Sequence, residues 1–84
     1  MIAEAYNNRG TAYEDKCQYD RAIEDYNRAI EINPKLANAY FNRGIPYAIK
    51  GNMGKAISDF QKACDMGDEN GCKGLQIVLQ EITK

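Results

Sequence analysis

The sequence predicts an all-α fold made of two copies of one helical hairpin and a fifth helix. Three observations carry this. The stretch AYNNRGTAY at 5–13 returns 34 residues later as AYFNRGIPY at 39–47. Inside each copy, aromatic and small residues fall at i, i+4 and i+7, the spacing of one helix face. Turn-forming segments separate the periodic stretches: DKCQYD carries no apolar run, and Asn33-Pro34 ends a helix because the residue before proline disfavours the α region.

Sliding residues 3–34 onto 37–68 makes 12 of 32 pairs identical: Ala3/Ala37, Ala5/Ala39, Tyr6/Tyr40, Asn8/Asn42, Arg9/Arg43, Gly10/Gly44, Tyr13/Tyr47, Lys16/Lys50, Ala22/Ala56, Ile23/Ile57, Asp25/Asp59 and Ala29/Ala63. A period of this length marks a repeat architecture. The first helix is expected at about 3–15, with Tyr6, Gly10 and Tyr13 on one face. The second follows at about 19–32, with Ala22, Tyr26, Ala29 and Ile30 as its apolar stripe. The third and fourth repeat the pattern at about 37–50 and 53–66. A fifth, about 69–83, carries Leu75, Ile77, Val78, Leu79 and Ile82, with Asp68 as its N-cap. Gly10 and Gly44 each cost a helix about 1 kcal/mol against alanine. Close packing by Ala22/Ala29 and Ala56/Ala63 is the expected compensation, with Tyr13 and Tyr47 filling the space beside them.

Composition excludes several classes. Charge is nearly balanced, 11 Lys+Arg against 12 Asp+Glu, 11 − 12 = −1. A nucleic-acid footprint would need a basic face, and a membrane anchor a polybasic cluster or a long apolar run. No signal peptide is legible, so the expected compartment is the cytoplasm. Histidine is absent and no CxxC pair occurs, so no metal or cofactor site is expected. Neither is a catalytic one: Glu14-Asp15 and Glu24-Asp25 are adjacent carboxylates that point apart on a helix, without a nucleophile–base pair. Cys17, Cys64 and Cys72 are read as reduced thiols, with a Cys64–Cys72 disulfide across a turn as the alternative.

Tyr6, Gly10, Tyr13, Ala22, Tyr26, Ala29 and Pro34, followed by Tyr40, Gly44, Tyr47, Ala56, Phe60 and Ala63, resemble the tetratricopeptide repeat signature at every spacing. The resemblance gives repeat 1 at about 3–36, repeat 2 at about 37–70 and a capping helix at about 69–84. It implies an α-solenoid of antiparallel helix-turn-helix hairpins. It also implies a protein–protein interaction scaffold that holds a peptide or protein segment without catalysis. The chain departs from the signature at Cys17, where the family has glycine as at Gly51, and at Asp68, where it has proline. A third departure is Pro46, opposite Ala12. Proline inside a helix removes a hydrogen bond and costs about 3 kcal/mol or more. A kinked but continuous helix is the first expectation. A broken helix that invites element exchange between two chains is the second.

The family lines a concave groove with the first helix of each hairpin. Carried over, the groove positions are Glu4, Asn7, Asn8, Thr11 and Glu14 in the first helix. In the third they are Asn38, Phe41, Asn42, Ile45 and Ile49. Asn8 and Asn42 suit a peptide backbone, each amide having a donor and an acceptor. Phe41, Ile45 and Ile49 form an apolar stripe at i, i+4 and i+8, to be covered by a peptide, the fifth helix or a second copy. Relatives that clamp a chaperone's terminal carboxylate use lysines where this chain has Asn7 and Asn38, which argues against that ligand. The expected partner is therefore an unidentified peptide or protein, with homodimerisation as the alternative. Arg9 and Arg43 are expected to pair with Asp25 and Asp59, or Arg43 with Asp25 across the repeat boundary, as structural ion pairs.

Overall fold

The computed structural model describes residues 2–82 as five helices: α1 Ala3–Asp15, α2 Tyr19–Ile32, α3 Ala37–Ile49, α4 Met53–Asp65 and α5 Glu69–Ile82. The expected bounds hold to within one residue, and position 83 lies outside the described residues. Helices α1 and α2 form one antiparallel hairpin and α3 and α4 the next. The second hairpin stacks on the first, and α5 closes the far side against α4.

Sharp turns of one design follow α1, α3 and α4. At each, the residue two places past the helix turns left-handed: Cys17 at φ 61°, Gly51 at φ 83° and Gly67 at φ 94°. Its N–H and that of the next residue return to the last turn, as in Cys17 N to Glu14 O, 2.9 Å, and Gln18 N to Tyr13 O, 2.9 Å. These paired bonds satisfy carbonyls that would otherwise lack partners. Glycine suits this conformation, and Cys17 adopts it against its preference. The α2–α3 connection is different: Asn33 N bonds Ala29 O at 2.9 Å before Pro34 stops the helix. Helix α5 starts on Asp68, whose carboxylate accepts the Asn70 N–H at 3.0 Å.

Each hairpin closes around a glycine of its first helix, against which an aromatic ring of the second is pressed. A Cβ at Gly10 would sit 2.6 Å from the Tyr26 ring, and one at Gly44 would sit 2.6 Å from the Phe60 ring. An aromatic of the second helix thus lies flat on bare backbone of the first. Ala29 instead packs with Ala3 and Ala39 at the junction of the hairpins. Ala56 packs with Phe60 and Val78 under α5. Alanines belong to these close approaches because they bury without losing side-chain rotamers.

Asp25 and Asp59 are buried and held by arginine forks. Arg9 donates through Nε and Nη2 to Asp25 at 2.7 and 2.9 Å, and Arg28 adds a third bond at 3.0 Å. Arg43 grips Asp59 the same way at 2.8 and 2.7 Å. Across the repeat boundary Arg43 meets Asn27, at 2.8 Å, rather than Asp25. The Arg9 guanidinium beside Asp25 holds its carboxyl below the usual carboxylate range.

Pro46 leaves α3 unbroken. The helix runs from Ala37 to Ile49 with Pro46 fully buried and its carbonyl accepting the Lys50 N–H at 3.0 Å. The break on which element exchange would depend is therefore not formed. The expectation of reduced thiols is also corrected, since Cys64 and Cys72 form a disulfide with their Cα atoms 4.6 Å apart. It is made possible by Gly71, where a Cβ would fall 2.6 Å from that of Ala63, so the first turn of α5 sits on the last turn of α4. Cys17 remains a free, exposed thiol.

Gly10→Ala and Gly44→Ala are expected to destabilise by about 1–3 kcal/mol despite alanine's better helix propensity, because the ring must move. A melting temperature equal to the parent's would show that the rings step aside freely. Cys17→Gly should raise stability by about 0.5–1 kcal/mol by relieving the left-handed cysteine, and thermal melts would reveal a loss if that is mistaken. Asp25, with its lowered folded value, contributes stability above its unfolded pKa of about 3.9 that is lost as pH falls through the folded value. Asp25→Asn should therefore lower the urea midpoint at neutral pH and flatten its decline on acidification. Parallel acid profiles for the two proteins would contradict this.

Candidate functional site

The groove positions of α1 and α3 form two chemically distinct parts. The polar part is a hydrogen-bonded network. Asn7 is only 6% exposed; its Nδ2 donates to Asn38 Oδ1 at 3.2 Å and its Oδ1 accepts from Asn42 Nδ2 at 3.1 Å. Asn7 thus ties α1 to α3 and is not an open groove residue, a correction to the sequence reading. The Thr11 hydroxyl lies 3.2 Å from the Asn7 carbonyl oxygen and 3.3 Å from the Tyr26 hydroxyl. Tyr26 donates to Glu14 Oε1 at 3.0 Å. Partial burial pushes the Glu14 carboxyl up, and the Tyr26 bond opposes that shift. Tyr26 is itself pushed well above the ordinary phenol range, mainly by burial. Glu4, Asn8 and Asn38 remain exposed, and Asn42 is half-buried.

The apolar part is a cleft of about 270 Å3 between α3 and α5, lined by Phe41, Ile45, Phe60, Asn70, Lys73, Gly74 and Ile77. Phe41 and Ile45 are half-buried against the Ala56–Phe60–Val78 cluster, with the Phe41 and Phe60 ring centroids 5.7 Å apart. Helix α5 therefore covers the inner side of the stripe and leaves its outer side open. Gly74 keeps the cleft from closing by bulk, because a Cβ there would already lie 3.1 Å from the Phe60 ring. Ile77 forms the rim at 61% exposure, and Lys73 brings a cation that forms no ion pair among the described residues. Ile49, the third member of the stripe, is exposed and outside the cleft.

The fifth helix was one of the expected covers of the stripe, but Asn70, Lys73 and Gly74 were not singled out as its wall. Its signal is the helical spacing of Asn70, Lys73, Gly74 and Ile77, which picks out one face only once the direction of α5 is known. The arrangement has no nucleophile–base pair, and no group of three metal-ligating side chains occurs among the described residues. Its chemistry is that of contact: an apolar slot, a cation at its edge, and amides further along.

Two tetratricopeptide repeat profiles match the chain, at residues 3–36 and 37–66. No curated protein matches it significantly. Among solved structures, the first TPR of Spaghetti (RPAP3) bound to the HSP90 peptide SRMEEVD superposes with a TM-score of 0.89 at 20% identity, covering 98% of this chain and 67% of that one. The second TPR domain of human RPAP3, in complex with the HSP70 peptide SGPTIEEVD, gives 0.85 at 24% identity, over 92% of this chain and 66% of that one. MamA gives 0.78 at 24% identity, over 98% and 59%. At these identities the likeness speaks for the fold, and the chain spans about two thirds or less of each neighbour. With both hairpins matched in register from residue 3 to residue 66, the chain belongs to the tetratricopeptide repeat family.

Proposed function

We propose that the chain is a protein-interaction module that holds a peptide segment of another protein, anchored by an apolar side chain in the α3–α5 cleft. The observation that carries this is the cleft itself. It is a preformed slot with aromatic and aliphatic walls, open to solvent, on the face where this family's first helices lie. Pockets of this kind supply affinity through apolar walls and orientation through a few polar groups. Asn8, Thr11, Asn38 and Asn42 would meet the peptide backbone beyond the anchor, with Asn7 bonded to both Asn38 and Asn42. Two neighbours of the same fold are bound to chaperone peptides, which supports a peptide as ligand. A chaperone tail is disfavoured here, because Asn7 and Asn38 stand where the clamping lysines would be. Family and fold support a scaffold rather than an enzyme. The Cys64–Cys72 bond suits an oxidising compartment better than the cytoplasm expected from the sequence. Homodimerisation loses its main motive with α3 intact through Pro46.

Peptides selected from a random phage-displayed library on the purified protein test the reading. Ile77→Ser changes an exposed rim residue, so its melting temperature should match the parent's while selected peptides bind about tenfold more weakly. Phe41→Ala should abolish binding, but it also removes a ring packed on Phe60 and so lowers stability. Peptides that bind Ile77→Ser and the parent equally would place the site elsewhere.

A further inference from the structure

One edge of the molecule gathers cations out of proportion to the chain's charge. In the first hairpin the Arg9 guanidinium lies over both the Tyr6 and Tyr13 rings, Arg21 over Tyr13 at 5.8 Å and Arg28 over Tyr6 at 5.8 Å. In the second, Arg43 lies over both Tyr40 and Tyr47, and Lys55 over Tyr47 at 5.4 Å. The 34-residue repeat puts Lys62 at the place of Arg28. The Arg43 bond to Asn27, the residue before Arg28, joins the two clusters into one strip. Six of the chain's 11 cations thus lie along it, in a protein of net charge −1. All but Arg43 are exposed. The carboxylates nearby do not use up this charge. Asp25 and Asp59 are buried beneath the strip and taken by Arg9, Arg28 and Arg43. Glu24 and Glu31 border Arg21 and Arg28 on α2. On α4 Ser58 stands at the place of the first, and Asp65, at the place of the second, accepts from Gln61 at 2.7 Å. Arg21, Lys55 and Lys62 form no ion pair among the described residues.

We propose that this strip is a docking surface for an acidic segment of a partner protein, a run of aspartate and glutamate side chains laid across both hairpins. Charge complementarity picks the ligand. The rings hold the cationic heads in place, so a carboxylate meets them at little cost in side-chain freedom. A single-stranded nucleic acid would need open ring faces on which bases stack, and here guanidinium and ammonium groups cover them. The strip lies away from the peptide face. Arg9 is two residues from both Asn7 and Thr11, and Arg43 two from both Phe41 and Ile45, so each points to the other side of its helix. The acidic segment and the peptide of the α3–α5 cleft therefore bind separately, and the two proposals stand or fall separately.

The test is titration of the full chain with a fluorescent oligoglutamate of about ten residues, long enough when extended to reach both clusters. Binding should weaken at least about fivefold between about 0.05 and 0.3 M salt. Lys55→Glu and Lys62→Glu should each weaken it at least about fivefold while moving the melting temperature by no more than about 2 °C, since both side chains are exposed. Lys35→Glu makes the same change in net charge on the α2–α3 connection, off the strip, and should leave binding within about twofold of the parent's. No binding at about 1 mM oligoglutamate, equal binding by the Lys35, Lys55 and Lys62 variants, or tighter binding of an oligothymidylate of the same length would each overturn the inference.

Discussion

The contact between a second-helix aromatic and a first-helix glycine governs this structure. With Tyr26 on Gly10 and Phe60 on Gly44, paired helices approach until ring meets backbone. That distance lets a short aspartate on the second helix reach the arginine fork of the first, 16 residues earlier in both hairpins. It also points the Tyr26 hydroxyl at Glu14 and Thr11, so one side chain spaces the helices and ends the polar network of the groove. Phe60 lacks the hydroxyl, and in its place the ring becomes the floor of an apolar cleft. Together with Phe41 in place of Asn7 and Ile45 in place of Thr11, this substitution between repeats changes the groove from polar to apolar.

The arginines have a second set of neighbours. Arg9 lies over the Tyr6 and Tyr13 rings at 5.4 and 6.0 Å, and Arg43 over Tyr40 and Tyr47 at 5.6 and 5.8 Å. Each guanidinium is therefore stacked as well as forked, the geometry in which arginine cannot be replaced by lysine. Tyrosines at these signature positions serve packing and cation stacking together. Arg43 is the more buried of the two, 20% exposed against 42% for Arg9, and the first hairpin reaches it through Asn27.

Much of the fold was legible because its determinants are local. The 34-residue period, Pro34 and the glycines at the turns mark helix ends without reference to any partner. The arginine–aspartate pairs were legible too, since their offset recurs. What was not legible depends on how one helix is rotated against another. The Cys64–Cys72 bond, legible only as an alternative to free thiols, requires α5 to begin directly on the end of α4, which Gly71 permits and spacing alone does not show. The burial of Asn7 requires Asn38 and Asn42 to converge on it, whereas a polar residue on a first helix reads as solvent-facing. The cleft draws half its wall from α5, whose seating is set by Gly71 and Gly74 against Ala63 and Phe60. Pro46 leaves its helix continuous, as first expected: a residue hostile to helices sits fully buried inside one.

The bond between Cys64 and Cys72 also makes α5 a lever. Its first turn is pinned covalently and by Gly71, so any opening of this helix is a swing about that end. Ile77 lies five residues from Cys72, about 7.5 Å along the axis at 1.5 Å per residue, and moves furthest among the cleft residues of α5. A swing about that end would widen the slot at the Ile77 rim and leave its Asn70 end at its present width.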